Sequence, residues 1–80
     1  MHTIKIRYFA ALQEQAQLSE ETVKTDLKTY GELYEFLSDR HQFSLPLSQV
    51  QVAVNDHFSQ LTDQITDQAQ VVFIPPVAGG

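Results

Sequence analysis

The sequence predicts an α+β fold, a mixed sheet of four or five strands clasping one main helix. Three observations carry this. Residues alternate with period two over residues 3–9 and again over residues 22–27. A capping box at Thr29 opens a broad apolar stripe of helical spacing. The chain has 80 residues, 42% of them apolar, which suffices for one core and no second domain.

The elements follow in order. Residues 3–9 place Ile4, Ile6 and Tyr8 on one face and Lys5, Arg7 and Phe9 on the other, a half-buried strand. Residues 10–17 are rich in Ala and Gln without a breaker, so a short helix is expected. Residues 22–27 alternate again, with Val23, Thr25 and Leu27 on one side, and pair with the first strand as a hairpin. In Thr29-Tyr30-Gly31-Glu32 the threonine can accept from the Glu32 amide while Glu32 reaches back. The helix so opened gathers Tyr30, Leu33, Tyr34, Phe36 and Leu37 on one stripe, faces Glu32, Glu35 and Asp39 outward, and ends near Arg40 or His41. Residues 43–46 form a connector with apolar anchors. Residues 50–54 make a third strand with Val50, Val52 and Val54 inward. Asn55-Asp56 is a turn signal, since both tolerate left-handed backbone angles. His57 and Phe58 begin a short edge strand. Residues 61–67 are polar, with Leu61 and Ile65 as anchors. Residues 70–74 form the last strand, Val71 and Phe73 on one face, and Pro75-Pro76 end it because proline cannot donate to a ladder. This order describes a β-grasp, the ubiquitin-like arrangement, over residues 1–75, followed by an extended, flexible tail over residues 76–80.

Composition excludes several functions. Five basic and ten acidic residues give a net charge of −5. Such a surface is repelled by phosphate backbones and anionic bilayers, so neither nucleic acid nor membrane is an expected partner. Residues 41–80 carry Asp56, Asp63 and Asp67 and no Lys or Arg, a bias that suggests a basic partner or a solvated acidic face. No cysteine is present, which removes thiol nucleophiles, disulfides and cysteine metal sites and fits a cytoplasmic location. His2, His41 and His57 match no metal-ligand spacing, so no metal is expected. Ser38, Asp39 and His41 cannot share a triad geometry at one helix end. With Gly31, Gly79 and Gly80 the only glycines, no phosphate-cradling loop can form. Nothing in the body reads as catalytic, and no bound cofactor is expected.

The tail reads differently. Two prolines hold the exit stiff and extended, and at about 3.1 Å per residue the last five residues project about 15 Å. Gly79 and Gly80 lack Cβ atoms and can enter a narrow slot. The terminal carboxylate, ionised at neutral pH, is then a group that an activating enzyme could place against the α-phosphate of ATP. Phe9, Phe58, Val72 and Ile74 stand at outward positions, and apolar residues so placed form a candidate docking patch.

Ile74-Pro75-Pro76-Val77-Ala78-Gly79-Gly80 resembles the PPV-x-GG terminus of the molybdopterin synthase small-subunit family. Ile6-Arg7-Tyr8-Phe9-Ala10-Ala11-Leu12 and Val52-Ala53-Val54-Asn55 resemble its first strand and its third strand with turn. One departure is local: where the family has a Gly-Asp-Glu type of turn, this chain has Gln68-Ala69-Gln70, which leaves the turn geometry open.

The resemblance implies a sulfur carrier. An E1-like enzyme would use ATP to adenylate Gly80, and a sulfur donor protein would convert it to a thiocarboxylate. Gly79, Ala78, Val77, Pro76 and Pro75 would deliver it into the active site of a large subunit. The small subunit would then be a non-catalytic sulfur donor in a heterotetramer with two copies of each chain. The alternatives are a thiamine-pathway sulfur carrier, against which Pro75-Pro76-Val77 speaks, a ubiquitin-like protein modifier, and a plain β-grasp interaction module.

Overall fold

The computed structural model describes residues 1–76. Its elements are β1 (His2–Tyr8), α1 (Ala10–Ala16), β2 (Glu20–Thr25), α2 (Tyr30–His41), a 3₁₀ turn (Leu47–Gln49), β3 (Gln51–Val54), β4 (His57–Ser59) and β5 (Gln70–Ile74). The five strands form one sheet in the order β2-β1-β5-β3-β4. β1 and β5 run parallel at its centre, and the other pairs are antiparallel. This is the β-grasp anticipated from the element order. The prolines after β5 fall outside the strand.

Strict alternation in β1 and β5 makes the sheet two-faced. Ile4, Ile6, Tyr8, Val71 and Phe73 are buried on the inner face, joined by Val23 and Val52. α2 covers that face with Tyr30, Leu33, Tyr34 and Leu37, and α1 adds Leu12 and Ala16. Tyr34 packs edge-on against Phe73 and stacks on Phe43. Its hydroxyl donates to the Leu45 carbonyl at 2.7 Å, which fixes the connector over the core.

The capping box forms as the sequence predicts. The Glu32 amide donates to Thr29 Oγ1 at 3.2 Å, and Glu32 Oε1 accepts from the Thr29 amide at 3.1 Å and the Lys28 amide at 2.9 Å. Those two backbone donors hold the Glu32 carboxyl below its ordinary pKa. The loop before β5 supplies further acceptors for the first turn of α2: Gly31 N–H donates to the Leu61 carbonyl at 2.8 Å and Tyr30 N–H to that of Asp63 at 3.3 Å. At the other end Gln42 adopts a left-handed conformation, φ 57°, and its amide donates to the Ser38 carbonyl.

Three expectations need correction. Phe36 does not join the buried stripe; it is 43% exposed, because the face of α2 against the sheet is centred on Leu33 and Leu37. β2 starts and ends two residues early. The Thr25 hydroxyl accepts from the Leu27 amide at 3.1 Å, closing a local turn, so Leu27 packs on the core from beyond the strand. The connector also holds a 3₁₀ turn after Pro46, which the sequence reading left irregular.

The turn left open at residues 68–70 closes without glycine. Gln68 takes a left-handed φ of 65°, at a cost of about 1–2 kcal/mol. Its amide donates to the Thr3 carbonyl at 2.8 Å, and the Thr3 amide donates to Asp67 Oδ1 at 2.7 Å. The Thr3 donation holds the Asp67 carboxyl below its ordinary pKa. Ala69 is thereby buried as β5 begins.

Candidate docking face and tail exit

The outer face of the sheet is set by register. Phe58 of β4 pairs with Ala53 of β3, Ala53 with Val72 of β5, and Val72 with Arg7 of β1. One cross-strand row therefore runs Arg7–Val72–Ala53–Phe58. The next row toward the end of β5 joins Ile74 to Gln51. Three of the four residues predicted to dock, Phe58, Val72 and Ile74, thus share one face. Phe9 follows Tyr8, whose register partner is Phe73, so it stands one step beyond the last pair, level with Ile74.

Exposure makes the face available. Phe58 is 76% and Phe9 45% exposed, while Val72, Ala53 and Ile74 are half-buried. Phe58 does not fold back into the core. The Asn55-Asp56 turn, both residues at positive φ (52° and 71°), sends β4 straight back along β3 and leaves it as an edge. A shallow groove continues from Phe58 along that edge between Val50, Val52 and Leu61. The sequence reading missed Ala53, which bridges Phe58 and Val72. The alternation of Val50, Val52 and Val54 carried the signal, since it puts the residues between them outward.

β5 ends on this same face. Ile74 is its last residue, with Pro75 half-buried and Pro76 exposed beyond it. The predicted tail residues Val77, Ala78, Gly79 and Gly80 lie outside the described residues.

Behind Phe9 stands a polar cluster that the sequence did not disclose. The Tyr8 hydroxyl donates to Glu21 Oε2 at 2.6 Å. His41 Nε2 lies 2.6 Å from the same oxygen and must donate, since a carboxylate only accepts. Arg40 Nη1 is 3.8 Å from Oε1. Burial alone would raise the Glu21 pKa. The hydrogen bonds from Tyr8 and His41 and the charges of His41 and Arg40 outweigh it and hold the carboxyl low. Burial and the bond to Glu21 push the Tyr8 phenol far up. The cluster ties the end of β1 to β2 and to the end of α2. Ala10, at φ 52°, then turns the chain from strand to helix. Phe9 is thus held between an anchored tyrosine and a fixed turn.

Among the described residues no group of three His, Asp or Glu side chains could hold a metal ion, and no helix is long and apolar enough to cross a membrane.

Residues 6–80 match the model of the ThiS family. Among solved structures, the chain resembles a Pyrococcus furiosus protein assigned as molybdopterin converting factor subunit 1, with TM-score 0.80, 22% identity and 96% and 100% of the two chains covered. It resembles small archaeal modifier protein 1 of Haloferax volcanii with TM-score 0.78, 20% identity and 96% and 100% covered. It also resembles a chain in the complex of subunits 1 and 2 of molybdopterin-converting factor from Helicobacter pylori, with TM-score 0.66, 23% identity and 98% and 99% covered. At these identities the structures bear on the fold alone.

Proposed function

The chain belongs to the ThiS family, and from that premise we propose that it is the sulfur-carrying small subunit of a molybdopterin synthase. The observation that supports this reading is the meeting, at one end of β5, of an apolar outer face with a Pro75-Pro76-Val77-Ala78-Gly79-Gly80 terminus. A partner that grips the face receives the tail at a fixed origin, so the carboxylate of Gly80 is delivered rather than left to diffuse.

The chemistry resides in the terminal carboxylate. One of its oxygens attacks the α-phosphate of ATP on an activating enzyme, forming an acyl-adenylate and releasing pyrophosphate. Hydrosulfide supplied by a sulfur donor then attacks the acyl carbon, breaks its bond to the phosphate oxygen and expels AMP, leaving a thiocarboxylate with no change of oxidation state, which the tail carries into the large subunit. Phe9, Phe58, Val72 and Ile74 hold the partner, and the prolines stiffen the spacer. No residue of the folded body needs to titrate for this, which suits a carrier without cysteine. The resemblance to the complex of subunits 1 and 2 in Helicobacter pylori supports a partner subunit; the proposed assembly holds two copies of each chain.

A second reading has an observation in its favour, the likeness to small archaeal modifier protein 1. It shares the adenylation but ends in an isopeptide bond to a lysine.

Two measurements test the proposal. Intact mass of the chain purified with its activating enzyme and sulfur donor should rise by about 16 Da, one oxygen replaced by sulfur. Higher-mass adducts in place of that shift establish the modifier reading. Deleting Gly80 should abolish ATP–pyrophosphate exchange while leaving the melting temperature in place, because the reacting atom recedes by about 3 Å. Full exchange by the truncated chain rejects the carrier mechanism.

A further inference from the structure

The outer face also carries charge, against the sign of the whole chain. Register places Arg7 between Val72 and Glu20, Lys5 between Gln70 and Thr22, and Lys24 opposite Thr3. All three cations alternate with core-facing neighbours, Ile4, Ile6 and Val23, so all three belong to the outer face. They are three of the five basic residues in a chain of net charge −5. Glu20 is the acidic residue on the outer face of the same strands, and Asp56 stands at the rim of the pocket beside Lys5 and Arg7. Among the described residues, none of the three cations forms an ion pair. The carboxylates of Glu32, Glu35 and Asp39 lie on α2, across the core. Of the acidic residues of 41–80 only Asp56 lines the pocket with Lys5 and Arg7, so the β1–β2 side of this face carries positive charge in excess.

Area makes this consequential. A stable interface buries about 800 Å² per partner. The apolar row from Phe58 to Val72, with Ile74 and Phe9, occupies only the β4–β5 side and the end of β1. A partner that stays bound must extend across β1, where Arg7 and Lys5 stand, and covering unpaired cations is costly.

Resting on the reading above, we infer that the large subunit presents an apolar ridge flanked by carboxylates, the ridge against Phe58, Ala53 and Val72 and the carboxylates against Arg7 and Lys5. The sheet is then read by charge as well as by shape. The cations set association rate and register, and the apolar row sets residence time.

The test is binding of the purified large subunit from the same organism to the full-length chain, by calorimetry, at about 0.05 M and about 0.5 M salt. Wild-type affinity should fall several-fold across that range. Lys5→Glu with Arg7→Glu should weaken binding about ten-fold or more at low salt and flatten the salt dependence. Phe58→Ala should weaken it alike at both salts. If the reversed pair lowers the melting temperature sharply, Lys5→Gln with Arg7→Gln gives the same reading through a smaller loss. Wild-type binding indifferent to salt, or a charge variant that binds as the wild type does, overturns the inference and leaves the carrier reading standing. No wild-type binding at all overturns the large subunit as partner, and the inference with it.

Discussion

Replacing Glu21 tests whether the polar cluster behind Phe9 holds the fold. The Glu21 side chain is 11% and that of His41 12% exposed, and the Tyr8 ring is buried. Glu21→Ala removes the acceptor of two short hydrogen bonds at once. Each stranded donor costs about 1–3 kcal/mol. His41 can turn partly to water, so the expected loss is about 2–4 kcal/mol. A domain of this size has about 4–12 kcal/mol in all, and its melting temperature falls by about 4–8 °C per kcal/mol. A drop of 10 °C or more, about two such steps, should follow. Arg40 adds little, since its side chain is 56% exposed and 3.8 Å away.

The sign with pH is fixed. The folded Glu21 pKa lies below its ordinary 4.5, so its contribution is present above that pH and is lost as pH falls through the lower folded value. Tyr8 works the other way. Its raised pKa gives stability below pH 10 that is lost above it. Urea melts of wild type, Glu21→Gln and Tyr8→Phe across pH should show a shallower acid limb in the first variant and a shallower alkaline limb in the second. A Glu21→Ala melting temperature within about 2 °C of wild type would refute the reasoning, since it would put the cluster in the class of exposed ion pairs.

Two further predictions concern α2. Gly31→Ala should lower stability by about 1 kcal/mol even though alanine favours helix, because its Cβ would meet the Leu61 carbonyl oxygen at 3.1 Å, the oxygen that accepts from Gly31 N–H. A higher melting temperature would show that the loop before β5 yields freely. Thr29→Ala should cost about 1 kcal/mol through loss of the cap, and Thr29→Ser should restore most of it; equal melts for the two would deny the capping box its role.

What the sequence disclosed and what it hid differ by range. The capping box, the two-faced strands and the Asn55-Asp56 turn each rest on residues within a few positions, where local chemistry decides. Val71 and Phe73 could be placed inward because Gln70 shares its parity with Val72 and Ile74 and marks that face as the outer one. Phe36 was misplaced because a helical stripe drawn from spacing is wider than the face that one sheet covers. The Tyr8–Glu21–His41 cluster was hidden because its members stand 13 and 20 positions apart and meet only when β2 and α2 are in place. The outward positions of Phe58, Val72 and Ile74 were legible one by one from parity. Their joining through Ala53 into one row was not, since that needs the order of strands in the sheet.

That order is also what relates the cluster to the tail. β1 and β5 are parallel neighbours, so the end anchored by Tyr8 and the end that releases Pro75 lie together. An anchored β1 fixes where Phe9 stands, Phe9 stands level with Ile74, and Ile74 sets the origin of the tail. A tail of fixed length reaches a reacting atom only if its origin is fixed, and an error of one residue there is about 3 Å at the chemistry. Loosening the cluster should therefore impair delivery before it impairs folding. Tyr8→Phe keeps the ring in the core and removes only the hydroxyl bond, so the chain should still melt cooperatively. Binding to the proposed large subunit should weaken more in this variant than its loss of stability at the working temperature would suggest. Unchanged binding in Tyr8→Phe, beside a measurable drop in melting temperature, would show that Phe9 and the exit of β5 are positioned by the sheet alone.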